Sequence, residues 1–410
     1  MAALGIDFGT SNTAAAVADQ GRPRVIALEP GQSTMPTIVF LDFDRREVLY
    51  GSDAAEALIE GREGRFMRSL KSILGTPLAR ETRHVLNERM TLIDIIARFL
   101  AEVKARAEAT TGTTFDTAVS GRPVHFHSHA PARDRQALED LTEAYARAGF
   151  RAVRFLPEPE AAALAGGGAG RGLIVDIGGG TSDFTVFDAA QGEVTIRASH
   201  GVRLGGTDFD KALSLAHVMP LLGMGAELRK DMGPGTVTAP VSIFTELASW
   251  EKIPFLYSAD LLRDVRRMER QALTPRLFTR LGEVLEMHLG HDVAYAVEAG
   301  KIAANGNQAG TINLNVVEKG LMPLLAPADL ARDLAGFAHE IRQTAAETLA
   351  MADCGPEAID RVVFVGGSSL MAVVRAAIGA LLPDAEQETS EVFTAVVDGL
   401  ALAAGGAGRD

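Results

Sequence analysis

Residues Leu173–Asp188 read LIVDIGGGTSDFTVFD. Apolar residues on both sides (Leu173, Ile174 and Val175, then Phe184, Val186 and Phe187) predict two buried strands. Between them stand Gly178, Gly179 and Gly180, a turn with no Cβ to keep a bulky group from bare backbone N–H. Asp176 and Asp183 bracket the turn, and Thr181 and Ser182 add hydroxyls. Backbone N–H groups suit a phosphate and carboxylates suit the magnesium that accompanies it. A glycine-rich hairpin with acids on its solvent side explains this one stretch equally well.

A second stretch tips the balance. Gly5–Val17 reads GIDFGTSNTAAAV, again a strand, an aspartate (Asp7), a glycine turn (Gly9, Thr10, Ser11, Asn12) and a strand. Asp7 and Asp176 are 169 residues apart (176 minus 7). A hairpin repeated at that distance predicts two similar lobes, each presenting one loop to a shared cleft, which favours phosphate binding over two coincidental turns. A Walker loop is excluded, because GxxxxGK[ST] is absent and a strand follows each turn where a helix should.

These two loops resemble the phosphate loops of the actin-type ATPase superfamily. Within it, IDFGTSN and DIGGGTSDF are similar to the nucleotide-binding domain of the seventy-kilodalton heat-shock chaperones, the DnaK family. The resemblance implies an α/β, two-lobed actin-like ATPase fold, with duplicated ribonuclease-H-like lobes and outer subdomains. Lobe I is expected over 1–170, its outer subdomain at about 37–113 and residues 386–410 packing back on it; lobe II is expected over 171–385, with an outer subdomain at about 214–307. Asp7, Asp176 and Asp183 are then the expected magnesium residues, with Gly9 to Asn12 and Gly178 to Thr181 on the phosphates.

Composition sets the outer bounds. The 410 residues suffice for two lobes, and 47% hydrophobic with 23% charged is ordinary for a globular chain. A net charge of −13 argues against nucleic acid or an anionic membrane as main partner. One cysteine, Cys354, leaves no internal disulfide and fits a reducing, cytoplasmic setting. MAALGIDFG carries no positive leader region, and no apolar run approaches membrane-spanning length.

Further motifs follow in family order. RFMRSLKSILGTP places Lys71 where the family points a lysine at the transferred phosphate, although a solvated lysine on an amphipathic helix is the commoner fate. Met90 to Thr110 shows helical periodicity through Leu92, Ile95, Ile96, Phe99, Leu100 and Val103. In RPVHFHSHAPARDRQ, His125, His127 and His129 alternate; a zinc site is discounted because no cysteine or carboxylate completes the set. The stretch also departs from the family's PAYFxxxQR, which puts the family's signalling between domains in doubt. RAVRFLPEPEAAALAGG resembles INEPTAAAxAYG, and Glu158 is its carboxylate near the attacking water and magnesium; a helix-capping acid is the plainer role. Residues 166–172 read as a flexible crossing into the second lobe.

Beyond the central hairpin, VRLGGTDFDKAL resembles THLGGEDFD and adds Gly205 and Gly206. Residues 215–290 match the family poorly, and the segment around Trp250 reads as core. Glu298 and Lys301, at i,i+3, resemble the ExxK pair that holds ribose; a surface ion pair has the same spacing. RVVFVGGSSLMAVVRAAI puts Gly366, Gly367 and Ser368 at a strand-to-helix turn facing the nucleoside. VFTAVVDGLALAAGG resembles the closing helix, with Phe393 in place of its leading acid.

The function expected is slow ATP hydrolysis by a chaperone-like protein made of the ATPase unit without a substrate-binding domain. Lys71, Glu158, Asp176 and Thr181 would act in catalysis, ATP/ADP and Mg2+ would be the cofactors, and nucleotide state would control a protein partner. An actin-like filament or scaffold protein is the alternative. A sugar or acetate kinase ranks lower, because no motif supplies a second substrate's catalytic aspartate.

Overall fold

Both glycine hairpins form as antiparallel pairs. Ala3–Phe8 pairs with Asn12–Asp19, and Gly170–Ile177 with Ser182–Ala190, where Asp176 stands opposite Asp183. The Gly178 N–H donates to Thr181 O at 2.9 Å and closes the second turn. This is a computed structural model, and it describes residues 2–86, 88–127, 130–166, 169–190, 193–250, 252–306, 308–388 and 395–406. His129 and Phe393 lie outside the described residues, as do 167–168 of the expected crossing; Gly170 already belongs to a strand.

The chain divides into two units: Met1–Val202 with Thr344–Leu370 and Gly379–Asp410, and Arg203–Gln343 with Met371–Ile378. The first unit carries both hairpins. Each hairpin gains a third antiparallel strand, Arg22–Ile26 or Glu193–Val202. On its other side each gains two parallel strands: Thr117–Arg122 then Ala152–Pro157, or Arg361–Val365 then Glu386–Glu388. The two sheets therefore share one strand order, third–second–first–fourth–fifth. The repetition seen in two loops extends to their whole sheets, as a duplicated ancestor would give.

Two helices pack against these sheets. Glu158–Gly166 is apolar nearly all round, as a helix buried on several sides must be. Its Ala161, Ala162 and Ala163 share a cluster with Val119 of one sheet, Ile174 and Val363 of the other, and Val396 and Leu400 of helix Ala395–Gly406. That last helix also covers Ala14 and Ala16 through Val397 and Ala401. Glycine permits the approach: a Cβ on Gly399 would fall 1.8 Å from Ala161 O, and one on Gly5 would fall 2.8 Å from Ala401 N.

Helix Leu92–Thr111 starts on a capping box between Thr91 and Asp94 and stops at left-handed Gly112. All six of its periodic apolar residues enter one core with Leu141 and Tyr145 of helix Pro131–Arg147. A small sheet (Glu47–Tyr50, Ile38–Asp42, Gly64–Arg68) is covered on its apolar face by helix Gly51–Ile59.

The second unit is mainly helical, with Gly206–Leu213, Ala259–Gln271, Pro275–Glu286 and Gly290–Ala304 among its helices. Trp250 meets His291 and Tyr295 edge-on, at 4.6 and 4.8 Å between ring centroids.

Candidate functional site

The LKSILG segment forms a single 3-10 turn, Leu70–Ile73, entered through Ser69 in the left-handed region at φ 56°. The alternative of a solvated lysine on an amphipathic helix is therefore not what the chain does. Lys71 is only 9% exposed, and its Nζ lies 2.5 Å from Glu158 Oε1. Glu158 follows strand Ala152–Pro157 as the first residue of helix Glu158–Gly166, so sheet and helix together fix its direction. A buried ammonium is costly without a partner, and this one has it. Desolvation, the largest influence, pulls the Lys71 pKa down. Glu158, Asp7, the hydrogen bond and Asp176 together outweigh it, so the ammonium titrates above its ordinary value.

Three aspartates surround this pair. Gly121, on the strand beside the first hairpin, leaves room between them: a Cβ there would lie 3.1 Å from Glu158 Cγ and 3.6 Å from Asp7 Oδ1. Desolvation first, then repulsion from Glu158, pushes the Asp7 carboxyl up to about 7 against the opposing pull of Lys71. Asp183 rises to about 6 for the same leading reasons, although the Thr181 side chain bonds to it and opposes the rise. Asp176 is raised well above its ordinary value by desolvation, then by Glu158, Asp183 and Asp7. Carboxyls this crowded favour a proton, or a cation in its place.

The two turns meet. A Cβ on Gly179 of the second would come within 2.6 Å of Ser11 Oγ of the first. Ser11, Asn12, Gly180 and Thr181 are exposed, with Gly9, Thr10, Gly178 and Gly179 half-buried beside them. Gly366 ends strand Arg361–Val365 at φ 78°, where a Cβ would sit 2.5 Å from Ile177 O and 3.2 Å from Asp176 Oδ1. Exposed Gly367 and half-buried Ser368 follow in a 3-10 turn. Among the described residues no three His, Cys, Asp or Glu side chains converge as a direct metal ligand set. The aspartates suit a hydrated cation reached through its water.

The remaining expected residues belong to the second unit. Gly205 donates its N–H to Asp208 Oδ2 at 2.9 Å, and Gly206 opens helix Gly206–Leu213. Lys301 is buried, its Nζ 2.8 Å from Asp210 Oδ1, whereas Glu298 is exposed. Lys301 thus pairs with an acid of the TDFDKAL segment, a partner that i,i+3 spacing could not disclose. The motif itself was the available signal, since it carries two acids and only Asp208 is taken up by capping.

Comparison with known proteins agrees with the loops. The family described as Hsp70 protein matches residues 3–222. Chaperone protein DnaK of Thermoplasma acidophilum is 36% identical over 220 residues, which are 51% of this chain and 34% of that protein. Chaperone protein DnaK of Ureaplasma urealyticum is 34% identical over 216 residues, with the same shares. The matched part thus spans about a third of these relatives' length. The resemblance noted at Glu298, Lys301 and Gly366 to Ser368 lies beyond residue 222, outside the family match. Among the described residues no helix is long and apolar enough to cross a membrane.

Proposed function

The chain belongs to the Hsp70 protein family, and from that premise we propose that it binds ATP with magnesium and hydrolyses it slowly, as a chaperone-type ATPase. The observation that carries this reading is the buried Lys71–Glu158 pair set among Asp7, Asp176 and Asp183 beside two touching glycine turns. In this reading the backbone N–H groups of Gly9 to Asn12 and Gly178 to Thr181 hold the phosphates. Gly366 to Ser368 serve the nucleoside. In this reading the lobes are 1–170 with 386–410 packing back on it, and 171–385.

Magnesium, when bound, would neutralise phosphate charge and orient it. Asp7, Asp176 and Asp183 would hold it through its water, since their crowded carboxyls gain by a nearby cation. Lys71 places fixed positive charge where charge develops on the transferred group, at little reorganisation cost because Glu158 already orients it. Glu158 accepts a hydrogen bond from the Lys71 ammonium and has a second oxygen with which to orient a water. Nucleotide-dependent closure of the lobes would then control a partner protein or client.

Calorimetric titration with MgATP tests the reading. Asp7→Ala and Asp176→Ala are each expected to weaken magnesium-dependent binding. Affinity unchanged in both variants would remove the assignment.

A further inference from the structure

The turn that carries Lys71 is bonded locally: Ser69 O accepts from Ser72 N–H at 3.0 Å and Ser72 Oγ at 2.7 Å, Lys71 O from Leu74 N–H at 3.4 Å, and Ile73 O from Thr76 N–H at 3.1 Å and Thr76 Oγ1 at 2.6 Å. A second set of anchors comes from outside it. The peptide unit joining Leu74 to Gly75 is held at both ends. His127 Nε2 lies 2.7 Å from Leu74 O. A carbonyl only accepts, so Nε2 carries the hydrogen. The Gly75 N–H donates to Asp140 Oδ2 at 2.9 Å.

Both holders are themselves anchored. The Asp140 side chain is fully buried, and its other oxygen accepts from Arg80 Nε at 3.0 Å, Arg80 Nη2 at 2.7 Å and Gln136 Nε2 at 2.9 Å. The backbone N–H groups of Phe126 and His127 donate to Asp134 Oδ1 at 2.6 and 3.2 Å. Gly75 has φ 75°, and a Cβ on it would fall 2.2 Å from Arg133 O, so the peptide presses directly on the start of helix Pro131–Arg147. A buried carboxylate with four donors and a ring nitrogen on a backbone carbonyl are expensive arrangements for one peptide of a short turn.

We propose that His127 and Asp140 are positioning residues for Lys71: by clamping the Leu74–Gly75 peptide they hold the ammonium at the phosphate and set the rate of hydrolysis. The inference rests on the reading of Lys71 as the cation of an ATPase. It gives the HFHSHAPAR stretch a task other than metal binding.

The test uses His127→Leu, His127→Gln and Asp140→Asn in the full chain. It measures kcat and KM for MgATP hydrolysis, together with the rate at which an amine-acylating reagent modifies Lys71 in nucleotide-free protein. His127→Leu is expected to lower kcat about tenfold or more, since small misplacements of a catalytic group are costly, with KM within about twofold. His127→Gln, whose amide N–H reaches the same carbonyl, restores most of the rate. In a Lys71→Ala background His127→Leu costs nothing further, because the two act as one unit. Acylation of Lys71 rises roughly threefold or more as its seat loosens.

Wild-type kcat and Lys71 protection in His127→Leu overturn the proposal. An equal loss with and without Lys71 also overturns it, because that pattern is general damage. If Asp140→Asn does not fold, the His127 variants decide alone. If the wild-type chain hydrolyses no ATP, the ATPase reading falls, and acylation still decides: unchanged Lys71 protection in the His127 variants refutes positioning.

Discussion

Lys71 and Glu158 face each other across 87 residues of sequence, and each is nearly enclosed. Removing the lysine therefore does two things. It takes charge stabilisation from the transition state, which typically costs on the order of a hundredfold in rate with ground-state affinity little changed. It also leaves the Glu158 carboxylate without its partner, a loss of about 3 kcal/mol in folding stability. Lys71→Ala assayed at low temperature is expected to bind MgATP normally and hydrolyse it about a hundredfold more slowly; wild-type turnover would reduce Lys71 to a structural cation. The aspartates add a pH signature. The folded carboxyls of Asp7 and Asp183, at about 7 and about 6 against an ordinary 3.8, keep protons that the unfolded chain releases. Their contribution to stability is present below pH ~4 and is lost as pH rises through 6 to 7. Nucleotide-free Asp7→Asn should consequently melt a few degrees above wild type at pH 7.5 and level with it near pH 4, roughly what a kcal/mol shifts in a domain of this size. A difference independent of pH would separate Asp7 from this titration. The resemblance of LKSILG to the family segment implied a buried ammonium, but its composition alone suits a surface helix, and the partner supplied from a distant strand end is what makes the burial possible.

At the scale of elements, the sequence was most informative where local chemistry is strict. The glycine hairpins and the apolar stripe of Leu92–Thr111 both follow from spacing and turn residues. It was least informative where an element's neighbour is remote. Helix Ala395–Gly406 reads as a run of small apolar residues, but Gly399 matters because Ala161 O lies where a Cβ would go, 1.8 Å away. Gly399→Ala is expected to destabilise by about 1–3 kcal/mol, since neither backbone can move aside cheaply. Gly336→Ala is the counterpart: nothing stands within 4 Å of its Cβ in helix Ala335–Met351, and alanine should add about 0.5–1 kcal/mol. Denaturant midpoints of the two variants moving the same way would show that backbone approach is not what selects glycine at 399. The helices between 215 and 290 gave no motif, and Asp210 is paired with Lys301 by the approach of helices Gly206–Leu213 and Gly290–Ala304, which are remote in sequence.

For the molecule as a whole, two sheets of one strand order explain why two short loops sufficed to reveal the fold. The same order has a consequence for how the chain is made. In the second sheet Gly172 pairs in parallel with Arg361, a separation of 189 residues (361 minus 172). A ribosome adding about 5–20 residues per second delivers that partner roughly 10–40 seconds after the hairpin has emerged. Throughout that interval the strand GRGLIVDI has one edge paired and the other bare, an apolar template open to any neighbouring nascent chain. Arrested chains ending at residue 340 should lose the 170–190 hairpin quickly to protease, whereas full-length chains resist; equal resistance would mean that the hairpin closes without its late partner. A protein of a chaperone family would then itself be, while being synthesised, a chain in need of shelter.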